Sequence, residues 1–303
     1  MPPIHTTLTE AEARERAAAH EARLRPVLDP YLAARRRGVK QPVMDFLFEY
    51  YTFRPGRLLR WRPGLGIAVQ GDEARRWLRE PGFVETPEGV TVDPARFPAH
   101  RIPSLRWVVT LLERTAARRP HLGCYGLHEW AMLYRTACPR HAHVPLRVKP
   151  EALARLVESH PITCTHFDAF RFFTEAARPL NRFQPTRETI HELEQPGCLH
   201  ANMDLYRWAY KFYPWVGSDL IADAFLLAYR IRMLDMQASP YDLRAYGLEP
   251  IPIETPEGRR HYRQRQAQFY QEAQPLRQRL LQTLRTLLEL AVINAPETTE
   301  RVA

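Results

Sequence analysis

The sequence lacks any long apolar run. Its longest apolar patch, LLELAVI near residue 290, falls far short of the roughly 20 residues that span a bilayer. The opening MPPIHTTLTEAEARERAAAH holds no apolar core of the kind that marks a secretory signal. A cytoplasmic location is therefore the expectation, with the four cysteines, Cys124, Cys138, Cys164 and Cys198, as reduced thiols. No glycine-rich loop opens a helix after a strand. GLG at Gly64–Gly66 sits among prolines without the remaining dinucleotide spacing, which argues against Walker-type NTPases and Rossmann dehydrogenases. No repeat period runs through the chain, and the two TPEG copies at 86–89 and 255–258 are turn signals. The carboxylate and paired E-x-x-H pattern of ferritin-like di-iron bundles is also missing.

What remains is a chain of 303 residues with enough apolar content, 45%, to bury a core without staples. Lys and Arg number 43 against 34 Asp and Glu, a formal charge of +9. That excess favours an anionic partner: DNA, RNA, a nucleotide or an anionic membrane. Helical signals dominate. Residues 8–37 read as helix interrupted by Pro26 and Pro30. QPVMDFLFEYYTF begins another at Pro42. Further helices are expected over 103–118, 122–136, 150–159, 165–177, 186–194, 199–212, 217–238 and 259–292, the last kinked or split at Pro275. Residues 54–100 differ, with many prolines and glycines, a short helix over DEARRWLRE and a hairpin over FVETPEGVTVDP. The expected architecture is mainly α, a multi-helical body with a small β-containing insert. An N-terminal helical part, 1–53, would pack with the main body, 101–295, as one domain beside the 54–100 subdomain.

Eight of the 12 histidines and all four cysteines lie between residues 121 and 200. Imidazole nitrogen and thiolate sulfur suit zinc and iron. CPRHAH brings Cys138, His141 and His143 within six residues, enough for three ligands or for a plain surface loop. His200 and Asp204 are four apart and share a helix face, as a metal pair or a catalytic dyad would. His166 and Asp168 diverge on an ideal helix, and Asp168 serves a helix start equally well. Asp219, Asp223 and Asp235 in a buried helix need positive partners, with Arg230 or Arg232 at hand. In CYGLHEWAMLYR, His128 and Glu129 stand side by side in an apolar setting. Glu49, His128, Glu129, His166, His200, Asp204 and Asp223 together would suffice for a helical iron or zinc enzyme, a hydrolase or oxygenase.

The same region supports a second reading. YRWAYKFYPW interleaves Tyr206, Trp208 and four more aromatics with Arg207 and Lys211, as a core face or as a stacking wall for a base. From Arg259 to Arg285 there are seven arginines, among them Arg259, Arg260, Arg263, Arg265 and Arg277, against Glu272 alone. These would meet phosphate, or simply form a solvated helix face. With a base in a pocket, a carboxylate (Glu129, Asp168 or Asp204) oriented by His128 or His200 would serve N-glycosidic cleavage.

The segments VMDFLFEYYTFRPGRLLRW, HLGCYGLHEWAMLYR and MLDMQASPYDL resemble a bacterial family known as 3-methyladenine DNA glycosylases, over residues 40–285. The resemblance implies excision of alkylated purines from DNA with no cofactor. No helix-hairpin-helix signature accompanies it, so it assigns no catalytic residue. The leading expectation is a DNA glycosylase. The helical metalloenzyme and a non-catalytic nucleic-acid-binding protein are the alternatives.

Overall fold

The computed structural model describes residues 2–136 and 143–294. Cys138 and His141 of the CPRHAH loop lie outside the described residues. Strand β1 (Thr6–Leu8) leads into α1 (Glu10–Arg36), whose Thr9 and Glu12 form a reciprocal capping box. Short helices α2 (Pro42–Asp45) and α3 (Pro55–Leu58) follow, with a π-helical turn over Phe46–Tyr50 between them. Then come β2 (Ile67–Val69), α4 (Asp72–Arg75), β3 (Phe83–Thr86) and β4 (Gly89–Val92). The rest is helical: α5 (Ile102–Ala117), α6 (Leu127–Ala131), α7 (Pro150–Ser159), α8 (Phe167–Phe170), α9 (Ile190–Leu193), α10 (Leu199–Lys211), α11 (Ser218–Gln237) and α12 (Pro256–Ile293). The architecture is mainly α with a small open sheet, as the hydrophobic periodicity predicts.

The sheet runs in the order β1-β2-β4-β3. The expected hairpin is present, with Val84 opposite Thr91 and Glu85 opposite Val90. β1 pairs in parallel with β2 and forms one edge of the open sheet. Gly64 has φ +80, and a Cβ there would lie 2.5 Å from the backbone nitrogen of Gly217. This close approach ties the arginine-rich loop after α3 to the start of α11.

The α10–α11 pair forms the centre, flanked by α12, which packs on α5 as well. In α1, Leu24, Leu28 and Tyr31 recur at helical spacing and are buried. Each of the two leucines contributes about 1.5–3 kcal/mol by leaving water. In α5, Leu105, Val108, Leu112 and Thr115 form the inward stripe.

Two expectations need correction. α1 and α12 run unbroken through Pro26, Pro30 and Pro275. All three prolines lie on exposed positions, so water can serve the carbonyls they leave without a donor. Conversely, the helices expected over 122–136, 165–177 and 186–194 shrink to four or five residues each, α6, α8 and α9. Tyr125 (φ 51) and Gly126 (φ 75) are both left-handed and delay the start of α6, while Arg135 (φ 53) follows its end. A Cβ on Gly126 would stand 3.2 Å from that of Ala238 and 3.3 Å from the Tyr262 ring.

Gly126→Ala is accordingly expected to destabilise the protein by about 1–3 kcal/mol in denaturant titration, through strain at a left-handed position and crowding of Tyr262. A loss below about 0.5 kcal/mol would mean that this backbone is not held in the left-handed region.

Candidate metal centre

Side chains from α6, α8, α10 and α11 meet beneath a cleft of about 530 Å³. The segment from Asp45 to Tyr51 forms one wall, with the Phe46 and Tyr50 rings stacked on each other 4.9 Å apart. His166, His200, Asp168, Asp204, Glu129 and Arg232 reach it from below. Within and behind this floor, two groups of potential metal ligands come together: His128, His200 and Asp235, and His166, Glu194 and Asp204.

The first group includes a tight ionic lattice. His128 and Glu129, neighbours on α6, meet Asp235 and Arg232, which share a face of α11 at a spacing of three. His128 Nε2 lies 2.7 Å from Asp235 Oδ1. Arg232 Nη1 donates to Asp235 Oδ2 at 2.6 Å and to Glu129 Oε1 at 2.7 Å. Burial opposes charge on His128, but Asp235 outweighs it, with help from the Cys124 sulfur 3.4 Å from Nδ1, and raises its pKa well above the ordinary imidazole value. Asp235 is held well below the usual carboxylate range, because His128 and Arg232 outweigh its burial. Arg232 also lies over the Phe46 ring, 4.4 Å from its centroid.

The second group is less satisfied. His166, the residue before α8, places Nδ1 3.0 Å from Glu194 Oε1 and Nε2 3.8 Å from Asp204 Oδ2. Yet Nδ1 is buried and makes no hydrogen bond. The short contact to Glu194 thus brings two polar atoms close without the alignment a shared proton requires. Two atoms that share an ion at about 2.0–2.2 Å stand about 2.8–3.1 Å apart at a right angle and about 3.3–3.6 Å apart at the tetrahedral angle, so the His166–Glu194 spacing suits a common cation with near-octahedral angles. Asp204, 3% exposed, takes the Tyr51 hydroxyl at 2.7 Å and one Arg207 nitrogen at 3.4 Å. Burial nevertheless pushes the Asp204 carboxyl up, against the pull of Arg207 and His166. Burial disfavours a charged His166, but Glu194, Asp204 and Asp168 outweigh it and raise its pKa. The pocket therefore favours positive charge, whether a proton or a metal ion supplies it.

His200 stands between the two groups. Its ring is 4.6 Å from that of His128 and 5.3 Å from that of His166. Burial first, then His128, drives its pKa well below the ordinary value, so at neutral pH it carries a free lone pair. The cationic His166 and Arg232 act in the same direction.

The candidates read from the sequence distribute as follows. His128, Glu129, His166, His200 and Asp204 are brought together. Asp168 lines the cleft but is committed to Arg207 Nη1 at 2.8 Å and Arg171 Nε at 3.0 Å. Glu49 lies at the cleft wall and pairs with Lys40. Asp223 belongs to neither group, because it bridges Arg23 and Arg279 between α1, α11 and α12. Of the carboxylates raised for buried ion pairing, Asp235 does find Arg232, while Arg230 pairs instead with Glu272. Glu194 was missed altogether. It sits just after α9 on no helical face, and no periodic signal points to it.

The glycosylase reading is corrected here. The two residues named for base stacking are core: Tyr206 is 0% exposed, and Trp208 is buried beside Trp107. Arg277, named for phosphate, is itself fully buried and donates to Asn202. Of the remaining arginines, Arg259 is spent partly on the Ile253 carbonyl and Arg260 on Glu257, and Arg263 and Arg265 are exposed along α12. What underlies the cleft is two His/Asp/Glu groups suited to metal ligation, which favours the metalloenzyme alternative over a cofactor-free glycosylase. The described residues contain no helix long and apolar enough to cross a membrane.

The lattice has a signed pH dependence. The His128 pKa is raised on folding, so its stabilisation is complete below the unfolded value of about 6.5 and lost as pH rises through the folded one. His128→Gln, measured by denaturant unfolding with chelator present, is therefore expected to cost about 3–5 kcal/mol at pH 6 and progressively less as the pH is raised through the folded pKa. A cost that grows as the pH rises would show that the His128 charge does not stabilise the fold. No family model, no curated protein and no solved structure matches this chain.

Proposed function

We propose that the chain is a metal-dependent hydrolase in which His166, Glu194 and Asp204 hold a divalent ion at the cleft floor. The carrying observation is the buried His166 Nδ1, 3.0 Å from a Glu194 oxygen yet without a hydrogen bond, in surroundings that favour a cation. One imidazole and two carboxylates suit zinc, manganese or ferrous iron. Such an ion lowers the pKa of bound water to about 7 and polarises a substrate oxygen.

The chain's own residues supply the rest. The neutral His200 takes the proton from the attacking water. Its low pKa makes it a weak base that remains unprotonated at neutral pH. Tyr51 and Arg207 orient the Asp204 carboxylate from outside, as partners of a ligand do. Arg171 lies over Phe172, 4.4 Å from the ring centroid, and faces the cleft. It is paired with Asp168, and Arg232 with Glu129 and Asp235, so the cations of the cleft are balanced by its own acids. The His128, His200 and Asp235 group also has ligands suited to iron, as an oxygenase would use. Both Asp235 oxygens are already bonded, however, to His128 and Arg232, so that reading stands second.

Protein prepared without a metal-affinity tag is expected to carry about one equivalent of divalent metal, falling below about 0.2 in Asp204→Asn with an unchanged circular dichroism spectrum. Metal-free wild type that also fails to take up zinc, manganese or ferrous iron on dialysis would sink the proposal. His200→Ala is expected to keep the metal and lose about 10²–10⁴-fold in kcat for hydrolysis of activated esters. Loss of metal in His200→Ala would move that residue into the ligand set.

A further inference from the structure

A second cavity, about 380 Å³, opens at the far end of α10, where the sheet insert meets the α10–α11 turn. Its size lies within the range of small-molecule sites, about 300–1,000 Å³. Two kinds of surface line it. Tyr210, Tyr213 and Trp215 provide ring surface, with Pro81, Pro98 and Pro214 beside them. The Tyr210 and Tyr213 rings are within 25° of parallel, and Tyr210 is backed by Phe53 in a stack at 4.1 Å. Such a backed ring offers its position without further ordering.

The other surface is cationic. Arg57, Arg60 and Arg101 all line the cavity, and among the described residues none of the three has a carboxylate within ion-pair distance. Arg101 is half-buried, and burial alone pushes its guanidinium down because no acid compensates it. Its plane rests near Phe97 and Phe212, 5.4 and 5.7 Å from their centroids. Burial raises the Tyr210 phenol pKa, and the fields of Arg57, Arg54 and Arg60 oppose that rise. Arg57 and Arg60 thus line the solvent-open rim of the cavity, within electrostatic reach of the Tyr210 ring. The one acid lining it, Glu80, is bonded to Arg62 and takes the Tyr213 hydroxyl at 2.6 Å. Ser218 accepts from the Arg62 backbone at 2.9 Å and donates to the Arg60 carbonyl at 3.0 Å, which pins the arginine-bearing loop to α11.

We infer that this cavity is a ligand site separate from the metal centre, and that it takes a nucleoside monophosphate. The planar base lies against Tyr210 and Tyr213, and the phosphate dianion meets Arg57, Arg60 and Arg101. Guanidinium forks suit a phosphate better than a single negative oxygen, and three of them without counter-ions leave room for two charges. Aromatic faces accept any base, so ring identity is secondary to the combination of ring and phosphate.

The test is calorimetric titration of the whole chain with adenosine 5′-monophosphate at fixed salt. Saturable binding is expected, with adenosine and inorganic phosphate each more than about tenfold weaker. The exposed double variant Arg57→Ala/Arg60→Ala is expected to weaken the monophosphate by at least about tenfold without a change in thermal midpoint, while Asp204→Asn binds as wild type does. Absence of saturable binding at millimolar nucleotide would overturn the inference. So would inorganic phosphate binding as tightly as the nucleotide, or a 5′-phosphorylated oligonucleotide binding where the mononucleotide does not. Loss of binding in Asp204→Asn with retention in the double arginine variant would place the nucleotide in the metal cleft, and the inference would fall. Each of these results is independent of whether the metal centre hydrolyses anything.

Discussion

Asp235 is fully buried on α11, and the ion pairs that satisfy it hold the centre of the protein together. One of its oxygens meets His128 and the other Arg232, which also holds Glu129. An uncompensated carboxylate at that depth would cost several kcal/mol, so α6 and α11 are constrained to one relative placement. That placement brings the His128 ring against His200 on α10 and sets the floor of the cleft. The neighbouring His166 is bracketed by acids rather than by arginines. The two halves of the floor thus differ in kind: one is an ion-paired lattice, the other a pocket short of positive charge.

This contrast is what separates a structural histidine from one suited to binding or chemistry. His128 is buried and charged, with Asp235 on one ring nitrogen and the Cys124 sulfur on the other. His200 is buried between cations and is neutral. Both sit within 5 Å of one another by ring centroid, 4.6 Å, yet burial acts on them with different neighbours. The same logic explains the arginines. Arg277 and Arg232 are core residues, spent on Asn202 and on two acids. Arg57, Arg60 and Arg101 have no carboxylate partner among the described residues, Arg101 donating to the Lys211 carbonyl, and all three line a separate aromatic cavity.

α10 links the two regions. Its first turns carry His200 and Asp204 to the cleft, and its last turn carries Tyr210 to the second cavity, about 9 Å further along the axis. Tyr206 lies between them, packed against Phe53, Tyr51 and Phe225. The aromatic run YRWAYKFYPW is therefore divided by burial. Tyr206, Trp208 and Phe212 build core, while Tyr210 and Tyr213 keep partial exposure.

Much of the fold was legible from spacing alone. The apolar stripes of α5, α10 and α11 have the helical period, and FVETPEGVTVDP has the alternation and turn residues of a hairpin. The His200–Asp204 pair could be read because both lie on one helix face. Local pattern determined these features because their causes are local. It misread Pro26, Pro30 and Pro275, since a proline breaks or spares a helix according to which side faces water, and only packing decides that. It also extended α6 and α8 across residues whose backbone turns away to build the site. Glu194 carries no periodic mark, and its place beside His166 comes from the loop joining α9 to α10. Which histidine is charged, which arginine is free and which aromatic is open depend on neighbours from about thirty to more than a hundred residues away in sequence. The tertiary structure decided those, because electrostatics and burial follow distance in space and not position along the chain.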